Sequence, residues 1–130
     1  MRKAHGQHNL NLSDLLLTDG NYNDWVITTS FYSAVHFVEH ALFPLIENGI
    51  QYRDFNDYWY NVYYPQHISK HSCKKRLVNR YLKKVNAVYR DLFDDCNNSR
   101  YIDYRVSDSE AKAAKDKADK IKVVCLAKKP

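Results

Sequence analysis

The chain has 130 residues, 45% of them hydrophobic, with three glycines and three prolines, a composition and length that exclude disorder and suit one domain over residues 1–130 with a single core. The net charge of +5 conceals a split: residues 1–64 hold three Lys/Arg against seven Asp/Glu, and residues 65–130 hold seventeen against eight, giving −4 and +9. The basic half points to an anionic partner, nucleic acid first, against the competing explanation of a solvated lysine-rich surface.

The start, MRKAHGQHNLNL, has basic residues but no apolar run ahead of a small-residue cleavage site, and no later segment approaches the roughly 20 apolar residues of a membrane span. No secretory signal and no membrane partner are expected, and the location expected by default is cytoplasmic. Residues His8 to Leu17 carry five leucines before the breaker Thr18-Asp19-Gly20-Asn21 and predict a short first helix, with the residues before it frayed.

The stretch Tyr22 to Leu45 predicts a long central helix, capped at Asn23 or Asp24 and ending around Glu47-Asn48-Gly49, with a kink or earlier stop at Pro44. Trp25, Thr29, Tyr32, His36, Glu39 and Phe43 share one row, and Val26, Phe37, Ala41 and Leu45 occupy other faces, so the helix should pack against several partners. Residues 50–64, IQYRDFNDYWYNVYY, hold five of the eleven tyrosines with Phe55 and Trp59 and read as an aromatic connecting loop with at most a short helical turn. Such a loop caps a core, or offers exposed rings on which bases stack.

Pro65 suits a helix start. From Leu77 to Cys96 apolar residues keep a 3.6-residue register, with a break expected near Arg76 or Lys84. Residues 68–90 carry eight basic and no acidic side chains, and from them Lys74, Lys75, Arg76, Arg80, Lys83, Lys84 and Arg90 are the candidate nucleic-acid contacts. Arg100 to Arg105 reads as a linker. Ser107 and Glu110 form a capping box opening a last amphipathic helix that buries Ala111, Ala114, Ala118, Ile121, Val124 and Cys125. No strand is predicted. Cys73, Cys96 and Cys125, odd in number and without a CxxC pair, fit buried reduced thiols.

Two histidine pairs invite a metal. His36, Glu39 and His40 give HxxEH, the order found in inverted zincins, where the histidines bind zinc and the glutamate activates water. No downstream acidic ligand completes it, so a core His36 with a hydrogen-bond partner and an edge His40 is the preferred reading. His67 and His71, one turn apart, could clamp a metal or act as acid and base in RNA cleavage, but lack a third group and read as ordinary first-turn residues. No metal and no cofactor are expected.

The order FYSAVHFVEHAL (31–42), His71 followed by Lys74 or Arg76, VYRDLF (88–93), then SRYIDY (99–104) before an Ala/Lys helix resembles the HEPN family over roughly Trp25 to Lys122. The resemblance implies an all-α, four- to five-helix bundle, often a homodimer, acting on RNA or nucleotides in toxin–antitoxin and phage-defence systems, with a nucleotidyltransferase as a possible partner protein. Many members are metal-independent ribonucleases using Arg, four to six residues, then His. Here only Arg2 to His8 has that spacing, in the terminus expected to fray, so no catalytic residue is carried over and His36, His71 and Arg100 are weak candidates only. The positions that match the family pattern and would line its pocket are His36, His71, Arg100, Tyr101 and Tyr104. Three functions are therefore expected in order: binding of RNA, a nucleotide or a partner protein without cleavage; an atypical metal-independent ribonuclease; and a dimerisation module using the aromatic segment. A buried His36 should find its partner among His71, Arg100 and Tyr101.

Overall fold

The computed structural model describes residues 1–130 and is all-α apart from one small hairpin. Five helices of twelve or more residues are joined by short connections: α1 (Arg2–Asp19), α2 (Asn23–Leu42), α4 (Lys70–Tyr81), α5 (Asn86–Tyr101) and α6 (Asp108–Lys128). A four-residue helix, α3 (Phe55–Tyr58), continues through a π-helical turn, Trp59–Tyr63, into a 3-10 turn, Tyr64–Gln66. No helix is long and apolar enough to cross a membrane.

Helix α2 is the hub. Fourteen of its twenty residues are buried, and it packs against α1, α5 and α6. Phe31, Phe37 and Val38 enter the main core cluster, joined by Leu77, Val85, Tyr89, Leu92 and the buried face of α6. The expected row on α2 is only partly inside, because Trp25 on the first turn is 54% exposed while His36 and Glu39 are buried.

Helix α1 begins six residues before the predicted start, and its N-terminal turns are docked rather than frayed. They are invisible to an apolar pattern because the one residue they bury, Gly6, is small. Gly6 allows the close approach, since a Cβ there would lie 3.0 Å from the Phe37 ring, and its carbonyl accepts from Ser33 Oγ at 2.7 Å.

The central helix stops at Leu42, the earlier stop expected at Pro44 rather than the end at Glu47-Asn48-Gly49, and the next residues form strands β1 (Leu45–Glu47) and β2 (Ile50–Tyr52). They pair antiparallel with Leu45 opposite Tyr52. Asn48 and Gly49, the expected helix end, instead form the two-residue turn, both with positive φ (53° and 76°), which is the geometry an Asn-Gly hairpin favours. The expectation of no strand is thereby corrected.

The 77–96 register is carried by two helices, with the break at Leu82–Val85, close to Lys84. Helix α6 follows the sequence closely: Ser107 Oγ accepts from the Glu110 amide at 3.1 Å, and Ala111, Ala114, Ala118, Ile121 and Cys125 are buried. All three cysteines are buried and unpaired, and burial pushes the Cys73 and Cys125 thiols up to about 12.

Candidate functional site

Polar groups on one strip of α2 are met by the first turns of α1 and α4. Arg2 donates to His36 Nδ1 at 3.3 Å, which requires that nitrogen to be unprotonated, and the His5 ring stacks on the His36 ring with centroids 3.8 Å apart. Burial, and then the charges of His5, Arg2 and Lys74, hold the His36 pKa down at about 4. His36 is therefore a neutral imidazole at pH 7.

One turn on, the buried Glu39 carboxylate pairs with Arg2 at 3.6 Å and with Lys74 at 3.5 Å. Lys74 is itself buried, which lowers its pKa, with Glu39 opposing that shift. The Tyr89 hydroxyl is buried without a hydrogen-bond partner, and burial followed by the Glu39 and Tyr32 charges raises its pKa, so it stays a phenol.

On the neighbouring stretch of the strip, Arg100 donates to Tyr32 Oη at 3.0 Å. The His71 ring lies 6.1 Å from Phe31 and 5.2 Å from Phe93, and Lys75 Nζ sits over Phe93 at 3.7 Å. His71 is lowered by burial and then by Lys74, Lys75 and Arg100, all of them cations. Both candidate histidines thus sit in positive surroundings.

The partner of His36 comes from α1, not from His71, Arg100 or Tyr101. His71 and Arg100 border Phe31 and Tyr32, whereas Tyr101 and Tyr104 are 73% and 72% exposed; Tyr101 lies under the Arg100 guanidinium and Tyr104 edges a shallow pocket beside Gly20 and Asp24. The five residues share no enclosed cavity. In HxxEH, His36 and His40 take separate partners, His40 Nε2 being 3.1 Å from the Lys129 carbonyl. His67 lies outside α4, at the left-handed end of the 3-10 turn, so His67 and His71 do not share a helix face.

The basic row divides by environment. Lys74 is turned inward to Glu39, and Arg80 donates to Glu47 at 2.9 Å. Glu47 also accepts from Tyr58 and Tyr81; burial pushes its pKa up, but these bonds and Arg80 outweigh that and hold it low. Lys75, Arg76, Lys83 and Lys84 have no carboxylate within ion-pair distance, nor has Lys70, and three of these cations lie over rings: Lys70 over Trp59 at 5.0 Å, Lys75 over Phe93, and Arg76 over Tyr63 at 5.4 Å. Lys83 and Lys84 edge a groove of about 620 Å³ floored by Tyr81, Leu82 and Val123. Arg90 stands apart on α5, next to Asp91 in sequence and exposed like it.

Sequence reasoning missed Arg2 and His5. Their spacing of three places them on one helical face, a usable signal once the terminus is helical. Comparison with protein-family models, curated proteins and solved structures returned no match.

Proposed function

We propose that the chain is a HEPN-like helical bundle that binds RNA through α4 and its flanking turns. One observation carries this reading: Lys70, Lys75, Arg76, Lys83 and Lys84 lie along about 18 Å of helix and its two ends without carboxylate partners. Unpaired cations are free to exchange water and counterions for phosphate, and each contact adds about one unit to the salt dependence of binding. The homodimer and the nucleotidyltransferase partner implied by the resemblance belong to the same proposal.

Its test is binding of a labelled RNA oligonucleotide across a salt series. Reversing Lys75, Arg76, Lys83 and Lys84 to Glu should abolish binding at moderate salt; unchanged affinity would reject the reading. Arg80 is left in place because Glu47 already holds it.

A second reading, the atypical ribonuclease, gains one specific support. Arg2 reaches the neutral His36, which could act as a general base at pH 7 once a substrate phosphate draws the guanidinium off Nδ1 to stabilise a phosphorane charge. The Arg2 guanidinium is directed to His36 and Glu39 and makes no hydrogen bond to His8. RNA cleavage in EDTA that disappears in His36→Ala and in His71→Ala proteins tests it; intact RNA after long incubation rejects it.

A further inference from the structure

Between the hairpin and α4 the chain exposes two tyrosine rings that the core does not use, beside a half-buried tryptophan. Tyr60 and Tyr64 are 62% and 52% exposed, and their rings stack at 5.4 Å with planes within 11° of parallel. Trp59 meets Tyr64 edge-on at 5.2 Å, and Lys70 Nζ lies over its indole. Other rings of the segment are spent on packing: Phe55, Tyr58 and Tyr63 are buried in the core. Trp59 is half-buried, with part of its indole packed against the core, so Tyr60 and Tyr64 are the rings surplus to the fold, a costly arrangement for a surface with no ligand.

The group is also held in place. Trp59 Nε1 donates to the Ile68 carbonyl at 2.8 Å, which ties the start of the turn to its end and fixes the indole plane. Gln66 Nε2 donates to the Val62 carbonyl at 2.7 Å inside the same turn. The backbone is π-helical from Trp59 to Tyr63, a rare widened turn that is frequent at functional positions. The nearby carboxylates are engaged locally: Asp54 accepts from the Asp57 amide, and Asp57 from the Arg53 amide and from Asn61. Lys70 thus lies over Trp59 and Arg76 over Tyr63, the chain neighbour of Tyr64, with those acids engaged within the turn itself.

We infer that Trp59, Tyr60 and Tyr64 form a base-stacking site for single-stranded RNA, with Lys70 and Arg76 taking the adjoining phosphates. The inference rests on the RNA-binding reading above and narrows its ligand class. Bases of a duplex are stacked on one another and cannot lie on a protein ring, whereas every unpaired base presents a π-face. Planar rings next to unpaired cations fit a polymer that alternates flat bases with negative charges. An apolar protein partner would satisfy the rings and leave those cations facing it unpaired, and a purely ionic ligand would leave the rings unused.

The test uses the full chain and three probes: a fluorescently labelled single-stranded oligoribonucleotide, the same sequence annealed to its complement, and inorganic polyphosphate as a charge-only ligand. The single strand should bind more tightly than the other two. In a Trp25→Phe background, where Trp59 is the one remaining tryptophan, it should quench the indole emission. Tyr60→Ala with Tyr64→Ala should weaken single-strand binding about tenfold and leave the polyphosphate affinity and the salt slope unchanged. The paired Phe substitutions, which keep the rings, should bind as the wild type does. Both tyrosines are exposed, so the variants should keep the wild-type circular dichroism spectrum.

RNA binding that survives the Ala pair intact, or a loss equal for RNA and polyphosphate, would overturn the stacking site while leaving the basic-face reading standing. No RNA binding by the wild type would remove both. A concentration-dependent dimer that the Ala pair dissociates, with RNA affinity unaltered, would assign the rings to a second copy of the chain and overturn the inference.

Discussion

The Arg2 guanidinium and the His36 imidazole are hydrogen-bonded at 3.3 Å across the α1–α2 contact, thirty-four residues apart. Protonating Nδ1 destroys that bond and places a third charge beside Arg2 and Lys74. The folded-state pKa, about 4, lies below the ordinary histidine value of 6.5, so the unfolded chain binds the proton more readily. Stability from this contact is fully present above about pH 6.5 and is lost as pH falls toward 4. With Arg2 and His5 partly screened by solvent, the loss should be on the order of 1–2 kcal/mol. Urea unfolding at pH 7 and pH 5 should register it, and His36→Gln should reduce the pH dependence; His71, shifted the same way, supplies a residual slope.

Lys74 sits with Glu39 in a pair in which both side chains are more than nine-tenths buried. Lys74→Met should cost about 2–4 kcal/mol, because Glu39 would keep only the more distant, partly exposed Arg2. Adding Glu39→Gln should recover part of the loss. A double-mutant cycle by urea denaturation checks this, and additive losses would show that the pair is not coupled.

Gly6→Ala sets two effects against each other. Alanine gains about 1 kcal/mol of helix propensity, but its Cβ would press on the fully buried Phe37 ring at 3.0 Å. Overpacking against a ring that cannot retreat costs roughly 1–3 kcal/mol, so a net destabilisation of about 1 kcal/mol is expected in thermal melts. A stabilised variant would mean that Phe37 yields.

Glu47→Gln should weaken three contacts together, those from Tyr58, Tyr81 and Arg80. The expected cost is about 1–2 kcal/mol, since the amide keeps one acceptor and loses the charge. Hydrogen exchange should report it as faster opening at Leu45–Tyr52 and at the end of α4, with α6 unaffected.

Where the sequence spoke clearly, its signals were local and redundant. The Ser107–Glu110 capping box, the small-residue stripe of α6 and the 77–96 register each specify a helix from within a few turns. The docked start of α1 was not legible because Gly6 contributes contact through smallness, which hydrophobic periodicity does not register. The hairpin was hidden differently: Asn48-Gly49 is a strong turn signal, but three-residue strands leave no alternation around it. At the candidate site, the basic residues were legible as a list and not as a surface. Only the fold reveals that Lys74 and Arg80 are already committed to Glu39 and Glu47, and that the ring partner of His36 comes from the far end of α1.

Glu47 binds Tyr58, which begins the aromatic turn, and at the same time Tyr81 and Arg80, which end α4. One carboxylate thus bolts together the two ends of the surface proposed to carry RNA. The rings at Trp59–Tyr64 and the lysines at 83 and 84 cannot drift apart, so they act as a ruler. On the proposed reading, a strand long enough to touch both ends binds with two grips, and a shorter one has only a single hold.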